Sequence, residues 1–155
     1  MSALDRAIYI TTATASGGRA GRVSTTDGTP DLDLVMPSVV YDMLSEEMQE
    51  VPASSDRARV DPEMLFAAGD AGCFISAIRY TALGMGIDAS KASVESSVAL
   101  KPGSDGAAFK LGVRLEVDLP GTNKETGQKI IDGAHKICPY SAAVKDNIEV
   151  DLVLR

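Results

Sequence analysis

The clearest pattern in the chain is strict alternation. Phe109, Leu111, Val113, Leu115, Val117 and Leu119 alternate with Lys110, Gly112, Arg114, Glu116 and Asp118, which predicts a long strand with one dry face and one wet one. Pro120-Gly121 ends it. Ala92 to Leu100 alternates as well, with Val94, Val98 and Leu100 on one face, and Ile148, Val150, Leu152 and Leu154 give a final strand. Near the start, the threonine-rich, β-branched run from Ala7 to Ala15 suits a strand. Ser16 to Gly21 is a turn, after which Arg22 to Thr25 returns antiparallel. Asp27-Gly28 is a second hairpin signal. Leu32, Leu34 and Met36 then alternate with Asp31, Asp33 and Val35, a third, half-buried strand closed by Pro37.

Helical spacing marks two principal helices. The first runs from Asp61 to Leu83, with Asp61 as N-cap and Pro62 at the first helical position, where a missing N–H costs nothing. Met64, Leu65, Phe66, Phe74, Ile75, Ile78 and Leu83 cover nearly all sides of the cylinder, so burial on most faces is expected. Glu63, Asp70 and Arg79 argue against a membrane span. Ala67, Ala68, Gly69, Ala71 and Gly72 leave a smooth surface for close packing, and Cys73 sits in that patch. The second helix, Lys124 to Cys138, gathers Ile130, Ile131, Ala134, Ile137 and Cys138 within an arc of about 120°. Pro139 fixes its end.

Residues 38–60 form an acidic insert. Val40, Leu44, Met48 and Val51 fall at helical spacing opposite Asp42, Glu46, Glu47 and Glu50, which fits a short amphipathic helix. Ala53 to Arg59 reads as a mobile loop leading to the central helix. The segment is either a solvated surface excursion or a lid. The order β-β-β-α-β-β-α-β, with antiparallel hairpins at both ends, places the chain in the α+β class, as one domain over 1–155.

Charge and cysteine content narrow the function. A net charge of −7 argues against nucleic acid and anionic membrane surfaces as partners. No apolar run follows Met1, so neither signal peptide nor anchor is expected. Two cysteines are too few for a secreted disulfide scaffold, and a cytoplasmic location is expected. Cys73 and Cys138 lie on apolar faces of the two core helices, either as a chemical pair or as two unrelated buried thiols. His135 and Cys138 are spaced as two metal ligands, but structural zinc normally takes four, so no metal is expected. No G-x-S-x-G elbow surrounds a serine, and Gly17-Gly18-Arg19-Ala20-Gly21 lacks the lysine-serine end of a phosphate loop.

Three motifs together carry a family likeness. GGRAG at 17–21, DPEMLFAAGDAGCF at 61–74 and AHKICPYS at 134–141 closely resemble the organic hydroperoxide resistance proteins of the OsmC (osmotically inducible protein C) superfamily. TTATA before the first motif, the DG turn and the closing DNIEVDL are similar too, so the likeness covers most of the chain. It implies the OsmC-like fold as an intertwined homodimer, and a thiol-dependent peroxidase with sites at the subunit interface. By motif, Cys73 is the peroxidatic cysteine, Cys138 the resolving one, and Arg19 and Glu63 the charged pair that activates Cys73. The implied substrates are organic hydroperoxides, reduced to alcohols through a Cys73 sulfenic acid and a Cys73–Cys138 disulfide. No bound cofactor is implied; the reductant is an external dithiol, lipoyl groups especially. The other reading is a redox-sensing or small-ligand-binding protein on the same fold.

This chain departs from the family pattern at the long acidic 38–60 segment and at Asp70, where the family tends to have an aromatic residue. A carboxylate facing the Cys73 sulfur would oppose thiolate formation. An unperturbed thiol is only about 3% ionised at pH 7, so full ionisation would raise the rate about thirtyfold. The remainder must come from aligning the O–O bond and stabilising the leaving oxygen. Glu63 and Cys73 would lie about 15 Å apart along an unbroken helix at 1.5 Å per residue. Either the helix breaks near Gly69, or Arg19 bridges the gap, or a partner subunit completes the site.

Overall fold

The structure, a computed structural model, describes residues 2–43, 56–103 and 109–155. It divides into two compact units, Met1–Pro62 and Glu63–Arg155.

The first unit is a four-stranded sheet in the order β1-β2-β3-β4. Strand β1 (Ala13–Ser16) pairs antiparallel with β2 (Arg22–Thr25), and β2 with β3 (Asp31–Leu34). The first strand is shorter than its β-branched run predicts. Ile8, Tyr9 and Ile10 are exposed and outside it. Between β1 and β2, Gly18–Ala20 makes a 3-10 turn entered at positive φ through Gly17. Gly21 is required by crowding, since a Cβ there would fall 1.7 Å from the Ser16 carbonyl oxygen. Gly28, at φ 77°, turns the second hairpin at the expected Asp-Gly pair.

Two expectations for this unit are corrected. Arg59–Val60 forms a strand, β4, lying parallel to β3, where a loop was expected. Asp33, expected on a wet face, is 4% exposed. Its carboxylate accepts from Arg57 Nε at 2.7 Å, and a buried charge so paired is tolerated where a lone one is not. Helix α1 (Ser38–Tyr41) is a single turn anchored by buried Val40. The other positions of the expected amphipathic stripe, Leu44, Met48 and Val51, lie outside the described residues.

The second unit holds helix α2 (Pro62–Gly84), the hairpin β5 (Ser93–Pro102) and β6 (Phe109–Asp118), helices α3 (Lys124–Ile137) and α4 (Pro139–Val144), and β7 (Glu149–Leu154). The hairpin turn at 104–106 lies outside the described residues. Strand β6 keeps the predicted alternation: Val113, Leu115 and Val117 are buried while Lys110 and Arg114 are exposed. Asn123 caps α3, its side chain accepting from the Thr126 N–H at 2.9 Å. Phe74, Ala77, Ile78 and Ala82 of α2 share one core with the three buried β6 residues and with Ile130, Ile131 and Ala134 of α3. Glycine lets these elements approach closely: a Cβ on Gly133 would meet Thr81, and one on Gly127 would meet Leu154.

Here too the structure adjusts the sequence reading. Strand β7 runs parallel to β6, because the intervening helices return the chain to the same end of the sheet. Both sheets are therefore mixed, within the α+β class. Helix α2 is not buried on most faces: Met64, Tyr80 and Leu83 are 53%, 73% and 75% exposed. One face packs on the core, and apolar residues on the other sides are left over in the single chain. Ile137 is exposed, because the helix ends there. Among the described residues, no helix is long and apolar enough to cross a membrane.

Ile130 is fully buried between helices and sheet. Ile130→Ala is expected to lower unfolding free energy by about 2–5 kcal/mol, read from the midpoint of urea denaturation. A loss below about 1 kcal/mol would mean that this core is loosely packed.

Candidate active site

Cys73 lies midway along α2, half-buried, and Cys138 caps the C-terminus of α3, fully buried. Their sulfurs are 3.4 Å apart and share one thiol hydrogen bond. Of the two readings of the cysteines, the structure supports proximity.

Local chemistry explains the meeting. A residue preceding proline is pushed toward extended backbone, and Cys138 adopts φ −69°, ψ 121°. Pro139 then opens α4 at its first position, where proline is favoured; the sequence reading had only ended α3 there. The chain turns at the cysteine and lays Tyr140 on α2. The Tyr140 ring meets Phe66 edge-on, with centroids 6.0 Å apart at 67°. It also lies over Gly69, where a Cβ would come within 2.7 Å of the phenol oxygen. The Tyr140 backbone N–H faces the Cys73 sulfur. Phe66 is partly buried beside the core, whereas Phe74 is wholly inside it and does not line a site.

Electrostatics hold Cys73 as a thiol. Burial is the largest cause pushing its pKa up, with the Cys138 sulfur and the Asp70 charge adding to it; the Tyr140 N–H opposes them. Asp70 is 4% exposed and accepts from Ser96 Oγ at 3.2 Å. Burial raises its pKa, while the Ser96 hydroxyl and nearby His135 favour the carboxylate. His135 Nδ1 is buried with no hydrogen-bond partner among the described residues.

Of the other two expected site residues, Glu63 lies elsewhere on the same helix as Cys73. Helix α2 is continuous from Pro62 to Gly84, so the suggested break near Gly69 is excluded. Glu63, in its first turn and half-buried, is about 15 Å from Cys73 along the axis. Arg19, also half-buried, sits in the 3-10 turn of the first unit. The structure thus brings Cys73 and Cys138 together. Sequence reasoning missed Tyr140 and Ser96: proline at a helix start was the available signal for the first, and the inward phase of β5 for the second.

Residues 54–153 match the family described as OsmC-like protein. The chain belongs to that family. Within it, the organic hydroperoxide resistance protein OhrB of Bacillus subtilis is 34% identical over 149 residues, 96% of this chain and 99% of that one. Its crystal structure superposes with a TM-score of 0.79. An organic hydroperoxide resistance protein of Xanthomonas axonopodis pv. citri is 34% identical over 155 residues, covering 99% of each chain. An organic hydroperoxide resistance protein from Legionella pneumophila is 39% identical, with a TM-score of 0.79 and coverage of 96% and 98%. These OsmC-like relatives bear out the resemblance carried by the three motifs, and their α+β fold is the fold of this chain.

Gly69 gives a direct test of the docked turn. Gly69→Ala gains about 1 kcal/mol of helix propensity but drives a methyl into the Tyr140 ring. Global stability is expected to stay within about 1 kcal/mol of wild type, while peroxide-induced joining of Cys73 to Cys138 slows several-fold. Non-reducing peptide mapping over time measures this; an unchanged rate would show that the Tyr140 contact does not set the sulfur geometry.

Proposed function

We propose that this protein is a thiol-dependent peroxidase that reduces organic hydroperoxides to alcohols. The observation that carries the reading is a half-buried cysteine with a fully buried thiol 3.4 Å from its sulfur, in a chain whose relatives are named organic hydroperoxide resistance proteins. The Cys73 thiolate attacks the distal peroxide oxygen. The O–O bond breaks, Cys73 becomes a sulfenic acid, and the departing alkoxide takes a proton to leave as alcohol. The Cys138 thiolate then attacks the Cys73 sulfur, the S–O bond breaks, and hydroxide leaves as water after protonation. An external dithiol, a lipoyl group in this proposal, reduces the disulfide and is itself oxidised. The Tyr140 N–H offers a donor to the reacting sulfur. Arg19 and Glu63, which lie in different units, are proposed as the activating charges, since a guanidinium can donate to both thiolate and peroxide.

The proposed working form is an intertwined homodimer in the cytoplasm. Exposure of Ile8, Tyr9, Met64, Tyr80 and Leu83 supports a partner, since large apolar patches left in a single chain mark interaction surfaces. A second reading, redox sensing without turnover, is favoured by one observation: Cys73 is held toward its thiol form.

Turnover separates the two. With dihydrolipoamide in excess, many equivalents of cumyl hydroperoxide are expected to be consumed per protein; oxidation that stops at one equivalent would support the sensor. Because the Cys73 pKa is raised, the second-order rate should climb with pH above the ordinary thiol range rather than level off near neutrality. Arg19→Ala is expected to slow Cys73 oxidation with the fold intact by circular dichroism, and an unchanged rate would remove Arg19 from the site. An apolar site should also prefer alkyl hydroperoxides. Burying four methylenes is worth about 3 kcal/mol, or about a hundredfold in kcat/KM over hydrogen peroxide. Equal kcat/KM for the two substrates would contradict it.

A further inference from the structure

Asp70 has no task in the peroxidase reading, yet it is buried, 4% exposed, one helical turn before Cys73. Strand β5 supplies Ser96 Oγ at 3.2 Å. Helix α3 supplies His135, whose Nδ1 is buried without a partner among the described residues. Around Cys73 itself stand Cys138 at the end of α3 and the Tyr140 N–H of α4. Two negative charges, an Asp70 carboxylate and a Cys73 thiolate, therefore compete within one partly dry cluster whose compensation is a hydroxyl, a backbone N–H and an imidazole.

We propose that Asp70 is a positioning residue for charge: Ser96 holds its carboxylate beside Cys73, where it acts as a brake on thiolate formation. The proposal deepens the peroxidase reading and rests on Cys73 being the reacting thiol. Residues three apart on a helix have Cβ atoms about 5–6 Å apart. At an effective dielectric of about 20, a like charge at that distance moves a pKa by about two units, and at about 40, where solvent reaches half-buried Cys73, by about one. Burial is the largest cause of the raised Cys73 pKa, and the Asp70 charge adds to it in the same direction. Ionisation of each group should make ionisation of the other harder, since coupling between two sites is reciprocal.

The test is the pH dependence of Cys73 alkylation by iodoacetamide in the full-length, reduced protein, with peptide mass mapping to separate Cys73 from Cys138. Asp70→Asn is expected to move the Cys73 midpoint down by about one pH unit and to speed its alkylation about tenfold at pH 7. A folded Asp70→Asn protein with an unchanged midpoint overturns the proposal, even if its thermal stability falls, because a purely structural role predicts just that. A second measurement needs no variant at Asp70. In wild-type protein, the 13C-carboxyl resonance of Asp70 should show an inflection at the pH where Cys73 titrates, and Cys73→Ser should abolish it. A smooth carboxyl curve through that range overturns the proposal. Neither readout requires peroxide turnover, so loss of the peroxidase reading and loss of the Asp70 assignment are separately visible.

Discussion

The site depends on one contact: the turn Cys138-Pro139-Tyr140 lying on the small-residue face of α2. Without glycine at 69, the Tyr140 ring would have no seat. Without proline at 139, the backbone would not be forced to leave the α3 axis at Cys138. The sulfur-to-sulfur distance is thus set by a glycine and a proline that take no part in the chemistry. The two helices are in turn fixed by the shared core around Phe74, Ile78, Ile130 and Ile131, each fully buried.

Most of this arrangement was legible in the sequence, for reasons that differ by residue. Strand β6 was readable because its dry face is continuous from Leu111 to Val117. Helix α2 was readable from Asp61-Pro62. Its length made the separation of Glu63 and Cys73 calculable, and its continuity then removed one of three explanations for it. What resisted reading was tertiary. Arg59 and Val60 carry no strand signal of their own and become β4 by pairing with β3. The burial of Asp33 follows from Arg57, far along the chain, and periodicity cannot see such a partner. The exposed side of α2 was misjudged because an all-round apolar helix does not specify whether its own chain or another covers it.

Asp70 illustrates how the two levels meet. In the sequence it is an anomaly, a carboxylate on an apolar helix beside a cysteine. In the structure it is a satisfied group, because the inward phase of β5 places Ser96 rather than valine opposite it. The alternation Val94, Ser96, Val98 is therefore a hydrophobic strand face interrupted where α2 carries its charge. Hydroxyl and carboxylate answer each other across the core.

The unequal burial of the two sulfurs has a stereochemical consequence. Cys138 is wholly enclosed, while Cys73 retains a path to solvent. Once the pair is joined, an incoming thiolate must approach in line with the S–S bond from the side it can reach. On the proposed peroxidase reading, that would make the sulfur of Cys73 the point of attack and Cys138 the leaving group. In the proposed cycle the fold would impose a regiochemistry on regeneration: the sulfur that meets the oxidant would also meet the reductant, and a trapped mixed disulfide would be carried on α2.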